Sequence, residues 1–158
     1  MPEARVEAIF LVPAAGGAPD TVEEVTAVAG RGLEGDRYFA GHGTFYAERK
    51  DGQDLTLIEA EAIEALAREH GIELGPGESR RNVVTRGIGL NQLVGRRFQV
   101  GEVECIGRRL CDPCSHLENL TEPGVLKGLL NRGGLRADVV KGGRIKVGDS
   151  VLDLGAAG

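Results

Sequence analysis

The chain has 158 residues, 41% hydrophobic and 27% charged, as expected for one soluble globular domain spanning residues 1–158. Its net charge of −5 argues against broad nucleic-acid binding, which needs a basic surface. The apolar runs are too short to cross a bilayer, and the N-terminus lacks a signal peptide's pattern, so we expect a cytoplasmic protein without membrane association.

Short alternating segments predict that most of the chain is β-structure. The 25 glycines are dispersed between these segments, as tight turns between strands require. Two hairpins of one type are expected, one turning at Gly101 and the other at Gly148. We therefore predict a mainly β protein (α+β by content) that forms a closed or partly closed β-barrel. Further strands are expected at Val6–Val12, Thr21–Ala29 and Asn82–Thr85.

One main helix and a few short helices complete the predicted architecture. Thr56-Leu57-Ile58-Glu59 fits a capping box, so the main helix is expected to begin at Thr56. Apolar residues then recur at helical spacing, and Gly71 provides the stop signal. A shorter helix is expected from Pro123 to Arg132, ending at Gly133.

The segment Cys111-Asp112-Pro113-Cys114-Ser115-His116 gathers two of the chain's three cysteines and one of its three histidines. In a reducing compartment a CxxC pair indicates catalysis or metal binding more than a structural disulfide. Cys114 is the better nucleophile candidate, because Pro113 fixes the turn and His116 could donate to a thiolate. Cys111 would then be a resolving or accessory thiol. A zinc site using Cys111, Cys114 and His116, or two inert packed thiols, are the alternatives.

The third cysteine is expected in the core, and three arginines are candidates for stabilising a thiolate in this segment. Cys105 lies in an alternating strand, where we expect it to be buried. Positive charge favours a thiolate, and the nearest candidate donors in the sequence are Arg108, Arg109 and Arg136.

Two basic segments suggest an anionic ligand. Arg81 and Asn82 end the run Ser79-Arg80-Arg81-Asn82, and guanidinium groups present a planar fork to oxyanions. Arg136 ends the run Arg132-Gly133-Gly134-Leu135-Arg136, whose glycines let backbone amides approach an anion. Each run alone also fits a solvated surface charge. Asp36 and Arg37 form either an acid–base pair at a loop tip or ordinary turn chemistry.

A series of short motifs resembles the MOSC domain, the module also found at the C-terminus of molybdenum cofactor sulfurases. The resemblance covers most of the chain in order and spacing, as a single stand-alone MOSC domain. Its fragments are Gly32-Leu33-Glu34-Gly35-Asp36-Arg37, Arg81-Asn82-Val83-Val84 with Gly87, Val100-Gly101-Glu102, Pro113-Cys114, Gly134-Leu135-Arg136, and Gly142-Gly143-Arg144-Ile145 with Val147-Gly148-Asp149.

The resemblance implies a barrel-like fold and a functional cysteine at Cys114, which carries sulfur as a persulfide or ligates molybdenum of the pterin cofactor. It implies that Arg81 and Asn82 hold the cofactor's phosphate. Arg136 would then help to bind the anion or stabilise charge near the metal. Asp36 and Arg37 lie in another matching fragment and are expected on the cofactor side.

The resemblance also implies a range of activities. Some relatives reduce N-hydroxylated small molecules with electrons from a partner flavoprotein or ferredoxin-like protein. Others are fused to desulfurases that use pyridoxal phosphate, a cofactor that this chain would meet only through a partner. The expected function is molybdopterin-dependent redox chemistry. The alternatives are a persulfide sulfur carrier served by a cysteine desulfurase, with Cys111 discharging the persulfide, and a non-catalytic or zinc-binding protein.

Overall fold

The computed structural model describes residues 4–11, 19–36, 54–74, 81–110 and 133–156. Within these ranges the chain is mainly β-structure, with the helix α1 at Ala60–His70 and a 3-10 turn at Leu90–Leu93. The strands are β1 (Arg5–Leu11), β2 (Asp20–Val22), β3 (Glu24–Val28), β4 (Gly32–Leu33), β5 (Leu55–Glu59), β6 (Val83–Arg86), β7 (Arg96–Val100), β8 (Val103–Leu110), β9 (Leu135–Lys141), β10 (Gly143–Lys146) and β11 (Val151–Ala156).

The strands form two sheets. The larger sheet has eight strands in the order β11-β7-β8-β9-β5-β6-β1-β2, and the smaller has the order β10-β3-β4. Neighbouring strands are antiparallel except for β5 and β6, which run parallel. The helix α1 follows β5 in the chain and belongs to the connection between these two parallel strands, as parallel pairing requires.

Backbone hydrogen bonds outside the sheet ladders link β1 to the segment that precedes β11. The N–H of Val6 donates to the carbonyl of Asp149 at 2.8 Å, and the N–H of Val151 donates to that of Ala4 at 3.0 Å. These bonds bring the start of β1 to the chain that enters β11, at the opposite end of the strand order. The ladder is not continuous around the described strands, so the expected mainly β, partly closed architecture is confirmed in this loose form.

Both faces of the central strands are buried. Ile9, Leu57 and Val83 contribute to the main core, which the two sheets share. Their neighbours Phe10, Ile58 and Val84 point to the opposite face and pack with Ala62 and Leu66 of α1. Because successive side chains of a strand alternate between faces, a continuous apolar run places one layer in the core shared by the two sheets and the other under the helix.

The predicted start of the main helix is wrong. Thr56 lies in β5, which is paired on one side with β6 and on the other with β9. The helix begins at Ala60, and its cap residue Glu59 has extended geometry (φ −76°, ψ 132°) without a side-chain capping bond. Burial of the strand between two neighbours outweighs the local capping pattern. The stop at Gly71 is confirmed: it has φ +66°, and its N–H donates to the carbonyl of Ala67 at 3.0 Å.

Of the two predicted hairpins, one is confirmed and one is wrong. β7 and β8 form the expected hairpin, with Val100 opposite Val103. The segment around Gly148 instead connects two sheets, since β10 pairs with β3 and β11 pairs with β7. The strand expected at Thr21–Ala29 is likewise split into β2 and β3, which pair in different sheets.

The remaining element predictions concern helices. The helix expected at Pro123–Arg132 lies outside the described residues. Among the helices of the described ranges, none combines the length and the apolar character needed to span a bilayer.

Candidate functional site

Arg81 and Asn82 lie directly before β6, near the middle of the large sheet. The parallel register of β5 and β6 begins with Leu57 opposite Val83. One step back along both strands, Thr56 faces Asn82. The N–H of Phe10 in β1 donates to the carbonyl of Asn82 at 2.7 Å. The start of β6 is therefore fixed from both neighbouring strands.

Asn82 is buried, and its side-chain amide contacts three separate segments. Its Nδ2 donates to the carbonyl of Phe10 at 3.1 Å and to Oδ1 of Asp36 at 3.2 Å. Its Oδ1 accepts from the N–H of Thr56 at 3.1 Å and from the Thr56 hydroxyl at 3.0 Å. The hydroxyl of Thr56 in turn accepts from the N–H of Asn82 at 2.9 Å. We refer to Asp36, Thr56 and Asn82 as the amide network.

Asp36 is buried, with 4% of its surface exposed. The sequence allows either an acid–base pair at a loop tip or ordinary turn chemistry here; in the structure Asp36 follows the short strand β4 and reaches Asn82, 46 positions along the chain. Arg37, the other half of the predicted acid–base pair, lies outside the described residues. The structure thus places Asp36 beside Asn82, as part of a polar network within the barrel wall.

Arg81 is also buried, with 9% of its surface exposed, so it is not a solvated surface charge. Its Nε–H donates to the carbonyl of Gly133 at 2.7 Å. This bond joins residues that are 52 positions apart and links the two basic segments singled out in the sequence. A backbone carbonyl carries no net charge, so this bond positions the guanidinium and is not itself an ion pair.

Gly134 permits the close approach of β9 to β5. It has φ +109°, and a Cβ atom added there would overlap the carbonyl oxygen of Leu57. Any larger residue would push the start of β9 away from β5. The glycine run thus serves backbone packing next to the carbonyl that Arg81 binds.

Arg136 is half-buried in β9 and lies between two cross-strand neighbours. Thr56 of β5 is its partner on one side and Arg109 of β8 is its partner on the other. Cross-strand partners share a face of the sheet, so Arg109 and Arg136 present like charges side by side. We refer to Arg109 and Arg136, together with Arg81 from the segment that binds Gly133, as the arginine group.

The predicted thiol centre adjoins this region in the sequence. Cys111, Cys114 and His116 lie outside the described residues, so their predicted roles stay predictions. Cys111 directly follows Leu110, the last residue of β8, whose cross-strand partner is Leu135. The CxxC segment therefore follows a strand end that is paired with Leu135 and Arg136 at the start of β9.

Cys105 is buried as expected, on the core side of β8. Burial raises the pKa of its thiol to about 12, with smaller contributions from the charges of Glu104 and Asp138. This cysteine is accordingly inert near neutral pH. Within the described ranges, no group of three or more His, Cys, Asp or Glu side chains is arranged to hold a metal.

Sequence reasoning missed Thr56 as a member of the site, because its side chain was assigned to a helix cap. It also missed Asp54, a buried carboxylate whose Oδ2 accepts from the N–H of Val139 at 2.9 Å. For Thr56 the available signal was a polar residue between two apolar strand residues, since buried polar groups need partners.

Comparison with known proteins identifies a family from the sequence and similar folds among solved structures. A model of the MOSC domain family matches residues 44–152. The YuaD protein of Bacillus subtilis has a similar structure, with a TM-score of 0.77 and 16% identity over 95% of this chain and 94% of that one. YiiM from Geobacillus stearothermophilus gives a TM-score of 0.73 and 14% identity, over 96% of this chain and 75% of that one.

YiiM from Escherichia coli is similar as well, with a TM-score of 0.66 and 19% identity over 97% of this chain and 71% of that one. At these identities the likeness establishes a shared fold. No curated protein sequence matches the chain.

Proposed function

The chain belongs to the MOSC domain family, and on this premise we propose that it binds the molybdenum–pterin cofactor at the arginine group and acts in molybdopterin-dependent redox chemistry. The single observation that carries the proposal is the contact between the buried Arg81 and the carbonyl of Gly133. This contact brings the two basic segments together at one place in the sheet.

The donor set of the arginine group fits an anionic ligand. Arg81 is buried, and Arg109 and Arg136 lie side by side on neighbouring strands. Guanidinium groups bind phosphate oxygens through paired N–H donors, and bringing an anion between two like charges relieves their repulsion. The phosphate of the pterin cofactor is an anion of this kind.

The chain's own residues would divide the work as follows. Arg81 and Arg136 hold the phosphate, and the Cys114 thiolate donates sulfur to the metal. When bound, the cofactor supplies oxygen-atom and two-electron redox chemistry at molybdenum. The proposed substrates are N-hydroxylated small molecules, with electrons arriving from a separate electron-transfer protein.

A second candidate is a persulfide carrier, favoured by the presence of Cys111 three positions before Cys114. The Cys114 thiolate would attack the outer sulfur of a persulfide on a partner cysteine desulfurase, which uses pyridoxal phosphate. This step breaks the sulfur–sulfur bond and leaves the desulfurase as a thiolate. The Cys111 thiolate could then attack the inner sulfur of the Cys114 persulfide, releasing hydrosulfide and forming a Cys111–Cys114 disulfide.

Elemental analysis distinguishes these candidates. Wild type, Cys114→Ser and the control Cys105→Ala would be purified from a host that makes the pterin cofactor. Near-stoichiometric molybdenum in wild type and in the control, and its loss from Cys114→Ser, is the expected result. Wild type without molybdenum contradicts the proposal; zinc in its place indicates a structural metal site, and a mass gain of one sulfur on Cys114 indicates the carrier.

Thiol alkylation gives an independent check. An activated Cys114 should react with iodoacetamide quickly near neutral pH, whereas Cys105, with a pKa of about 12, should not react in the folded protein. Peptide mapping after a short exposure would show which cysteine is modified. Equal, slow labelling of Cys105 and Cys114 would argue against an activated thiol.

A further inference from the structure

We propose that Asn82 is a positioning residue for Arg81 rather than a ligand of the cofactor, and that Thr56 shares this role. The proposal rests on the proposed function, since it assigns the work of residues at the same site. It departs from the expectation that Asn82 holds the phosphate directly.

The hydrogen-bonding capacity of the Asn82 amide is already used. A carboxamide offers two N–H donors and an oxygen with two lone pairs. Both donors are taken, by Phe10 and Asp36, and both lone pairs are taken by Thr56. An incoming phosphate would have to displace one of these buried bonds and leave a buried polar group unsatisfied, which is unfavourable.

The orientation of the amide follows from backbone chemistry. The N–H of Thr56 can only donate, so the atom of Asn82 that it meets must be the oxygen. The carbonyl of Phe10 can only accept, so the atom that it meets must be the nitrogen. A flipped amide would break both contacts, and the network therefore has one arrangement.

The network acts on Arg81 through the main chain. Thr56 and Asn82 continue the β5–β6 ladder one step beyond the pair Leu57–Val83, using side chains in place of backbone bonds. Asn82 thereby fixes the peptide that carries Arg81, and the Arg81 guanidinium fixes Gly133. Loss of the Thr56 hydroxyl should loosen Arg81 even if Thr56 never touches the ligand.

A matched pair of threonines makes this testable. Thr56→Val removes a hydroxyl that bonds Asn82, while Thr85→Val removes a buried hydroxyl for which the structure has no hydrogen-bond partner. Both positions lie in the β5–β6 pair, and valine preserves shape and strand preference. Thr56→Ser restores the hydroxyl and serves as the rescue. The probe is the molybdenum–pterin cofactor released from another molybdoenzyme, with dissociation constants measured by fluorescence.

The expected result is a weakening of cofactor binding by about 10- to 100-fold in Thr56→Val, as is typical when a supporting residue behind a ligand is lost. Asn82→Ala should weaken binding by a similar factor, and the double variant should be no weaker than either single one. Thr56→Ser and Thr85→Val should stay close to wild type. A direct ligand role predicts the opposite: Asn82→Ala far weaker than Thr56→Val, with multiplied effects in the double variant.

A second readout needs no cofactor. In the apo protein, nuclear magnetic resonance should show the Asn82 backbone N–H protected from hydrogen exchange, and Thr56→Val should remove that protection because the Thr56 hydroxyl is its acceptor. On adding cofactor, the Arg81 Nε–H resonance should shift and the Asn82 NH2 resonances should not. A large shift of the Asn82 NH2 overturns the proposal. If the apo protein shows the protection but wild type does not bind the cofactor, the proposed function is refuted and the network has only a structural role.

Discussion

One arginine lies just before strand β6 and another is its last residue, and the two differ in what they bind. At the start, Arg81 is buried and donates to a backbone carbonyl at 2.7 Å. At the end, Arg86 contacts two carboxylates, with Nε at 2.7 Å from Oε1 of Glu7 and Nη2 at 2.6 Å from Oε2 of Glu64. The comparison shows that two arginines flanking one strand have different kinds of partner: a backbone carbonyl for Arg81 and two carboxylates for Arg86.

Electrostatics at the end of β6 reinforce this difference. Hydrogen bonds to Glu64 and then Glu7 raise the pKa of Arg86 above its ordinary range. The same contact lowers the pKa of Glu64, whose side chain is 53% exposed. Two carboxylates already neutralise the Arg86 charge, so this end of the strand provides structure and does not recruit a phosphate.

Among the substitutions that test this comparison, Gly134→Ala should cause the largest loss of stability. The added Cβ would overlap the carbonyl oxygen of Leu57, and the φ of +109° disfavours any side chain. We expect unfolding free energy to fall by at least about 2 kcal/mol, with loss of the Arg81–Gly133 contact. The control is Gly71→Ala, where φ is +66° and nothing lies within 4 Å of the added Cβ. Equal losses in denaturant unfolding would show that the β5–β9 approach is not tight.

A smaller loss is expected from Arg81→Gln. Removing the charged donor leaves the carbonyl of Gly133 unsatisfied in a buried setting, which should cost about 1.5–3 kcal/mol of unfolding free energy. Arg86→Gln should cost less, because its partners are partly exposed and can be rehydrated. Denaturant unfolding of the two variants under one buffer tests this order, and a larger loss in Arg86→Gln would reverse the comparison.

The smallest expected effect is the pH dependence of the stability that the Arg86–Glu64 pair contributes. Because Arg86 lowers the pKa of Glu64 below its ordinary value of 4.5, the pair stabilises the folded state above that value. This contribution should disappear as the pH falls through the lower, folded-state pKa. Glu64→Gln should therefore be less stable than wild type near pH 7 and converge with it in acid. High salt should also shrink the difference, and a gap that widens in acid would contradict the sign.

Much of the fold follows from local patterns in the sequence. The β7–β8 hairpin, the burial of Cys105 and the helix stop at Gly71 all depend on residues close together in the chain. Thr56 was assigned to the wrong element because Thr-x-x-Glu fits a capping box in isolation. Its strand state is decided by β6 and β9, whose residues are distant in the sequence and invisible to a local pattern.

For the candidate site, residue types single out Arg81 and Asn82 as candidates but do not predict which residues they contact. Arg81 and Asn82 could be singled out because arginine and amide groups suit anions. That Arg81 meets Gly133 and that Asn82 meets Asp36 depends on contacts over 52 and 46 positions. Those contacts change the expected role of Asn82. An exposed amide could bind a ligand, whereas an amide whose donors and acceptors are all used supports its neighbours.

The most direct test of the central claim is the molybdenum content of Arg81→Gln against Arg97→Gln. Arg97 is the matched control, since it lies on β7 with its Nη1 3.1 Å from Oε1 of Glu104, away from the arginine group. Both variants and wild type would be purified from a cofactor-producing host and shown to be folded by circular dichroism. The account predicts that Arg81→Gln loses most of its molybdenum while Arg97→Gln keeps the wild-type amount. Equal molybdenum in the two variants would contradict it.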